Sequence, residues 1–164
     1  MATEATGREK GLLGLSFSVM MLQHLEEVLD IERKSFPIPW SYQAFEFEIT
    51  ENDFAFYIVA LSNERVVGYA GMWLVLDESH VTNVAVHPDL RGRGIGRALM
   101  MELLTRAAVL GAVKITLEVR VSNQAARSLY NSLGFVDRGI RKKYYSDNNE
   151  DAIIMLLHIT RGKG

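Results

Sequence analysis

The chain has 164 residues, 48% of them hydrophobic and 23% charged, which suits one compact globular domain and leaves no length for a second. Its net charge of −2 provides no overall basic field, so we expect no direct nucleic-acid partner. The absence of cysteine excludes disulfides, a thiol nucleophile and cysteine-ligated metal, and it is typical of a cytoplasmic protein. The four histidines show no metal-ligand spacing, so no metal is predicted.

The N-terminal segment mixes charged residues with small ones, and we predict a flexible tail over residues 1–14. The folded domain is predicted over residues 15–160, beginning with a strand in which serines alternate with Phe17 and Val19. The longest apolar run, from Val66 to Leu76, is far below the roughly twenty residues that span a bilayer. We therefore expect no membrane partner.

Two helices are predicted next, separated by a stiff loop. Apolar residues recur at helical spacing from Leu22 to Phe36, and Pro37 ends that helix. Two prolines make the Phe36–Trp40 loop extended, so it either forms a wall of a substrate pocket or packs on the core. Ser41 is the expected N-cap of the second helix, whose buried side is formed by Tyr42, Phe45 and Ile49.

The middle of the chain is predicted to form strands around one crossover helix. Residues 54–62 and 65–76 form a predicted buried hairpin, and residues 80–86 form another strand. A helix over residues 94–110 buries apolar side chains that include Leu110, and residues 114–120 then alternate as a half-buried strand. This strand-helix-strand unit predicts one parallel pair in an otherwise antiparallel sheet, and hence an α/β fold.

A glycine-rich turn joins the strand at 80–86 to that helix. Glycines let the backbone approach a ligand, and the amide groups at a helix start attract anions. Arginines between the glycines add positive charge, so we predict a phosphate-binding loop over residues 91–97. A dinucleotide-binding fingerprint would need glycine where Arg97 stands, and no Gly-Lys-Ser/Thr of a P-loop follows.

The last third contains a short helix and a hairpin. Ser122 and Asn123 begin the helix, and Gly134 closes it. Asn123 and Tyr130 lie two turns apart on one side, where they could line one groove. Residues 135–145 and 152–159 form the final hairpin.

The order of these motifs resembles that of the GCN5-related N-acetyltransferase (GNAT) superfamily. Arg91, Gly94 and Gly96 match its acetyl-CoA loop. The segment from Glu118 to Met155 is similar to the RimI branch, whose members acetylate the N-terminal alanine of a small-subunit ribosomal protein. The resemblance covers about residues 15–160. It implies a single-domain α/β GNAT fold, with a mixed, mostly antiparallel sheet, a splayed parallel strand pair and flanking helices.

The resemblance also implies roles for individual residues. Glu118 would be the general base, acting through water, and Tyr130 the acid that protonates the leaving thiolate. Residues implied to bind acetyl-CoA are Val84, Ala85, Val86, Gly92, Arg93, Gly94, Ile95, Gly96, Arg97, Asn123 and Tyr130. Residues implied to bind the acceptor are Phe36, Trp40, Tyr144 and Tyr145. From the residues alone, Glu118 would be a solvated strand residue, Tyr130 a half-buried helix aromatic, and the paired tyrosines packing.

Three functions remain open. The first is direct acetyl transfer from acetyl-CoA to the N-terminal α-amine of a basic peptide, with a ribosomal protein as the expected acceptor. The second is acetylation of a small amine, such as a polyamine or an antibiotic. The third is a module that senses acyl-CoA without turnover, although such a sensor needs neither acid nor base. The acceptor, the oligomeric state, the tolerance of longer acyl chains and the role of residues 1–14 are not determined by the sequence.

Overall fold

The computed structural model describes residues 14–159, which form seven strands and four α-helices. The predicted tail at 1–14 lies outside these residues except for Gly14. Single 3-10 turns occupy Leu22–His24 and Pro88–Leu90. The strands are β1 Leu15–Val19, β2 Ala55–Ser62, β3 Arg65–Val75, β4 Glu78–Val86, β5 Lys114–Arg120, β6 Val136–Tyr145 and β7 Glu150–His158. The helices are α1 Leu25–Ser35, α2 Tyr42–Thr50, α3 Ile95–Val109 and α4 Gln124–Ser132.

The strands are hydrogen-bonded in the order β1-β2-β3-β4-β5-β7-β6. β4 and β5 run parallel, while β1 with β2, β5 with β7 and β6 with β7 are antiparallel. The parallel register joins residues 78–80 to residues 114–116 and does not continue to 81–82 and 117–118. The predicted mixed sheet with a splayed parallel pair is therefore confirmed.

By their contacts, the residues divide into two compact units. The first unit comprises residues up to Gly71 together with Asn83–Leu103. Its core contains Phe45, whose ring makes edge contacts with Tyr57 and Tyr69 at centroid distances of 6.3 and 5.7 Å. Burial of three aromatic rings in one cluster is a large apolar contribution to stability. Leu25, Val28 and Ile31 of α1 complete this core from the helix side.

The second unit comprises Met72–Thr82 and the residues from Leu104 onward. β5 alternates strictly in burial, with Ile115, Leu117 and Val119 inside and the intervening side chains partly exposed, as the sequence predicts. β5 lies between β4 and β7 in the sheet, and the alternation places Glu118 on its polar face, two residues beyond the end of the parallel pairing.

The hairpin predicted to be buried over 54–62 and 65–76 is buried in its middle and exposed at its ends, where Phe54, Val75 and Leu76 are 57, 49 and 91% exposed. Two helix side chains predicted to be buried are also exposed. Tyr42 is 36% exposed because it stands in the first turn of α2, after the Ser41 cap, whereas Phe45 one turn later is fully buried. Leu110 is 49% exposed because α3 ends at Val109, so its helical periodicity no longer applies. Within residues 14–159, no helix combines the length and apolar character needed to cross a membrane.

Candidate active site

The predicted phosphate loop lies in the first unit, between β4 and α3. Gly92 and Gly94 have φ values of 79° and 84°, a conformation that glycine adopts without steric cost. A Cβ at Gly92 would meet nothing within 4 Å, so the backbone there is open to a ligand. The helix begins at Ile95, and the Gly94 carbonyl accepts the Ala98 N–H at 3.1 Å. Exposed residues therefore precede a helix N-terminus, a place where backbone amides suit an anion.

Arg91 anchors this loop. Its Nε donates to the Val86 carbonyl at 3.1 Å, and its second guanidinium nitrogen donates to Ser35 Oγ at 3.0 Å. Arg93 and Arg97 are exposed, and they stand within and just after the glycines. One arginine thus holds the loop to the protein, while two others place positive charge at its surface.

The residues of β4 before the loop differ in burial, and their predicted backbone role in cofactor binding stays a prediction. Ala85 is buried, whereas Val84 and Val86 are partly exposed. A Cβ on Gly68 of β3 would lie 2.9 Å from the Ala85 carbonyl and 2.8 Å from Leu99 Cδ1. Gly68 therefore permits the close packing that positions this strand, a role the sequence analysis did not identify.

The Phe36–Trp40 loop packs on the core of the first unit. Both aromatic side chains are half-buried against that core, and the Trp40 ring lies 5.3 Å from Phe45. The Trp40 N–H donates to Glu32 Oε2 at 3.2 Å. Tyr69 and Asn83 also donate to Glu32, whose pKa is raised by burial despite these hydrogen bonds. The packing alternative is thus observed, and an acceptor-binding role for this loop stays a prediction.

Glu118 is the centre of a polar cluster in the second unit, which we call the Glu118 cluster: His80, Thr116, Glu118 and Arg141. The Glu118 side chain is 9% exposed. His80 Nε2 lies 2.9 Å from its Oε2, and Arg141 Nε donates to its Oε1 at 3.1 Å. The other ring nitrogen of His80 lies 2.9 Å from Thr116 Oγ1. Both oxygens of a nearly buried carboxylate are therefore held from different strands.

This environment keeps Glu118 ionised. Burial alone would raise its pKa, but hydrogen bonds from His80 and Arg141, the charge of Arg141 and that of a protonated His80 outweigh burial, so the pKa lies below its ordinary value of 4.5. An ionised carboxylate offers about four lone-pair sites, so Glu118 can accept a water in addition to its two protein donors. The geometry fits the predicted general base acting through water.

Tyr130 lies on α4 as a half-buried residue. Its ring makes an edge contact with Phe135 at 5.9 Å, and burial raises its pKa to about 12. The phenol therefore stays protonated at neutral pH, as a general acid requires. Asn123 caps the same helix by accepting the Ala126 N–H at 3.1 Å, so its structural role is confirmed and its cofactor role stays a prediction.

Tyr144 and Tyr145 lie at the end of β6 with their rings perpendicular, 5.1 Å apart. Burial raises the pKa of Tyr144, which is 49% exposed, and that of Tyr145 to about 12. The Glu118 charge raises both pKa values further, so both phenols lie within its field. The fold thus brings two predicted acceptor-binding residues into the surroundings of the predicted base.

The turn after these tyrosines is fixed by Arg120. Its guanidinium stands 4.0 Å from the Tyr145 ring centroid and forms ion pairs with Asp147 and Glu150 at 2.8 and 3.3 Å. Glu150 also accepts the Ser122 N–H at 2.7 Å. Hydrogen bonds from the Ser122 side chain and backbone, with those from Arg120 and Asn148, lower the pKa of Glu150 to about 2. Arg120 therefore holds the hairpin turn and one tyrosine of the candidate site together.

Sequence reasoning missed His80 and Arg141 as site residues. His80 stands opposite Thr116 only because of the parallel register of β4 and β5. The sequence of either strand by itself does not reveal that register. The Arg141 side chain is 55% exposed, yet it reaches Glu118 from two strands away. Within residues 14–159, no three His, Cys, Asp or Glu side chains are grouped to hold a metal ion.

A cavity of about 460 Å³ on the first unit is separate from these predictions. Its lining includes Glu26, Asp30 and Asp89 with apolar Ile31 and Val67. None of the predicted cofactor or acceptor residues, all of which fall within residues 14–159, lines it.

Comparisons with known proteins agree with this geometry. Residues 25–135 match the acetyltransferase (GNAT) family. The chain is 40% identical over 132 residues, 79% of its length and 88% of the relative's, to the [ribosomal protein bS18]-alanine N-acetyltransferase of Escherichia coli K12. It is 37% identical over 147 residues to the protein of the same name from Salmonella typhimurium, covering 88% and 98% of the two chains. The crystal structure of the Escherichia coli ribosomal-protein-S18-alanine N-acetyltransferase aligns with a TM-score of 0.83 at 35% identity, covering 92% of this chain and 97% of that one.

Proposed function

Because the chain belongs to the acetyltransferase (GNAT) family, we propose that it transfers an acetyl group from acetyl-CoA to the N-terminal α-amine of a protein. The proposed acceptor is the N-terminal alanine of the small-subunit ribosomal protein bS18, after which the two relatives at 37% and 40% identity are named. A ribosomal acceptor would place the reaction in the cytoplasm.

The observation that carries this proposal is the ionised, nearly buried Glu118 carboxylate on the polar face of β5. An amine attacks a thioester only as the neutral base, and its nitrogen must lose a proton during the reaction. Glu118 would accept that proton through a water. The carboxylate is held by two donors, so it is oriented before the acceptor arrives.

Tyr130 would supply the proton at the other end of the transfer. As the C–S bond breaks, the sulfur develops negative charge, and a phenol that is protonated at neutral pH can donate to it. The acetyl group passes directly from sulfur to nitrogen. No covalent enzyme intermediate is required, which agrees with a chain that contains no cysteine.

The glycine loop would hold the diphosphate of acetyl-CoA. Positive-φ glycines, exposed residues ahead of α3 and the exposed Arg93 and Arg97 suit an anion in this place. Main-chain groups of Val84–Val86 would bind the pantetheine, and an N–H among them would polarise the thioester carbonyl. Asn123 would contribute to the same arm.

Proton supply favours an α-amine over a lysine side chain. An α-amine has a pKa near 7.7–8.0 and a lysine near 10.4, so at pH about 7.5 roughly a quarter of the first is neutral and about a tenth of a percent of the second. A carboxylate of low pKa is a weak base, and it is sufficient only for an amine that already deprotonates near neutral pH.

The test compares three acceptors under one set of conditions with acetyl-CoA. These are a peptide that starts with Ala-Arg, the same peptide with a blocked N-terminus and an internal lysine, and spermidine. We expect acetylation of the first peptide alone, located by mass spectrometry on the α-amine. Preferential modification of spermidine would identify a small-amine acetyltransferase. Acetyl-CoA binding without turnover of any acceptor would identify a sensor.

A further inference from the structure

The imidazole of His80 bridges two residues of the neighbouring strand. The register places His80 of β4 opposite Thr116 of β5, and Glu118 follows two residues later on the same face. The ring spans both, with Nδ1 2.9 Å from Thr116 Oγ1 and Nε2 2.9 Å from Glu118 Oε2. The His80 side chain is 34% exposed, whereas that of Glu118 is 9% exposed. His80 is thus the more exposed member of this pair.

These contacts select one form of the neutral ring. An ionised carboxylate only accepts hydrogen bonds, so Nε2 must carry the proton that points to Glu118. Nδ1 of the neutral ring is then an acceptor, and the Thr116 hydroxyl donates to it. Thr116 therefore orients His80, and His80 orients Glu118.

We propose that His80 is the positioning residue for the base Glu118, and that only its neutral form leaves Glu118 active. This inference rests on the proposed function. Neutral His80 holds Oε2 with one hydrogen bond and adds no charge. Protonation of Nδ1 by solvent places a full positive charge beside the carboxylate, which makes Glu118 harder to protonate and a weaker base. Histidine is the side chain that changes charge in the working pH range of such enzymes.

The other charged and titratable groups around the pair have fixed charge near neutral pH. Arg141 of β6 is permanently cationic and binds Oε1. The Tyr144 and Tyr145 phenols have raised pKa values and stay neutral. The neighbouring ion pair on the two strands, Glu78 with Lys114 at 3.8 Å, joins opposite charges. The pH-dependent change in the Glu118 environment therefore comes from His80.

The first experiment replaces His80 by glutamine, whose side-chain amide can donate to Glu118 but does not titrate. The slope of the acid limb of log(kcat/KM) against pH should fall by about one unit, because one proton fewer must leave the enzyme. When each enzyme is scaled to its own maximum, His80→Gln should keep its activity to a lower pH than the wild type does. His158→Gln on β7, an exposed histidine, is the matched control and should keep the wild-type profile. An unchanged profile in His80→Gln would overturn the inference.

A second pair of variants tests the orientation by Thr116. Thr116→Val removes the hydroxyl at nearly constant volume, and Thr116→Ser keeps it. The valine variant should lose about threefold to tenfold in kcat, the size of one neutral hydrogen bond, and the serine variant should not. Nitrogen NMR of the labelled ring should show the Nε2–H tautomer in wild type and a mixture in Thr116→Val. If the His80 ring had the same tautomer in Thr116→Val and Thr116→Ser, and the two variants had the same rate, the role of Thr116 would be contradicted.

Failure of this inference can be told apart from failure of the proposed function. The pairing can be followed by NMR in unliganded protein, because the signal of the His80 Nε2–H should move when Glu118→Gln replaces the carboxylate that accepts it. If wild type acetylates no N-terminal peptide while this coupling is found, the function is wrong and the pairing is right. If wild type is active and the His80 ring signals are the same with and without the Glu118 carboxylate, the inference is wrong.

Discussion

The glycine loop of the first unit and the Glu118 cluster of the second differ in what they are made of. The loop spans residues 91–97 in one continuous stretch, and its chemistry comes from backbone amides and positive-φ glycines. The cluster draws its side chains from β4, β5 and β6, which are up to 61 residues apart between His80 and Arg141. A binding site made of local backbone can be recognised in the sequence, whereas one made of distant side chains depends on strand register.

The sharpest test of the cluster removes its base and, separately, the proposed acid. Glu118→Gln and Tyr130→Phe should each lower kcat by about 10²–10⁴-fold while acetyl-CoA affinity changes little. Their pH profiles should differ. Glu118→Gln should recover as the amine deprotonates unaided at higher pH, and Tyr130→Phe should not. If both variants kept wild-type rates, catalysis would come only from holding the two reactants together, and the side chains of the cluster would have a structural role.

The matching test of the loop acts on binding. A ligand that binds only the folded state stabilises a protein by about 2.7 kcal/mol when its concentration is 100 times its Kd. Acetyl-CoA should stabilise the wild type in this way. The double variant Gly94→Val with Gly96→Val should lose that thermal shift, because valine rarely adopts the φ of 84° at Gly94.

Gly139→Ala is the control for this test, since a Cβ there meets only ordinary contact at 3.7 Å. It should retain the full shift. Circular dichroism of each unliganded variant separates loss of binding from loss of folding. A folded double variant with the full shift would place the cofactor away from the loop.

A smaller effect is expected when Arg141 is removed from the cluster. Arg141 lowers the pKa of Glu118, so Arg141→Ala should raise it, as a carbon NMR titration of the carboxylate would show. The ion pair contributes stability above the ordinary pKa of 4.5, and that contribution is lost as pH falls through the lowered value. Because Arg141 is 55% exposed, we expect a loss of at most about 1 kcal/mol near neutral pH.

Lys142→Ala, on the exposed neighbouring residue of β6, is the control for Arg141→Ala and should change neither quantity. A Glu118 pKa that stays constant or falls in Arg141→Ala would show that the guanidinium does not act on the carboxylate. In that case the cluster would reduce to His80, Thr116 and Glu118.

The smallest effect concerns the charge of the acceptor. Exposed carboxylates, including those of Glu46, Glu51 and Asp77, favour a basic peptide by steering the encounter. Peptides that start with Ala-Arg should react a few-fold faster than Ala-Glu peptides at low salt, and the ratio should shrink as salt is added. Glu48 does not belong to this set, because it is buried and bonded to Asn52. Equal rates at low salt would remove charge from acceptor selection.

The sequence by itself determined the features that depend on local periodicity and on turns. The strand and helix order, the parallel pair, the alternation of β5 and the caps at Ser41 and Asn123 all follow from short-range patterns and are observed. The wrong burial predictions fall at the ends of elements, Tyr42 and Leu110 in helices and Phe54 and Leu76 in the hairpin, where periodicity is the least informative.

Only the tertiary structure decided which side chains surround Glu118. The parallel register brings His80 and Thr116 together, and the antiparallel pairings of β7 bring Ala152 beside both Arg120 and Arg141. Register is set by how whole strands bury their apolar faces, so no local pattern around His80 or Arg141 could reveal their common partner. The environment of Glu32 was likewise decided by the tertiary structure. This charged residue of α1 is buried, and Tyr69, Asn83 and the Trp40 amide all donate hydrogen bonds to it.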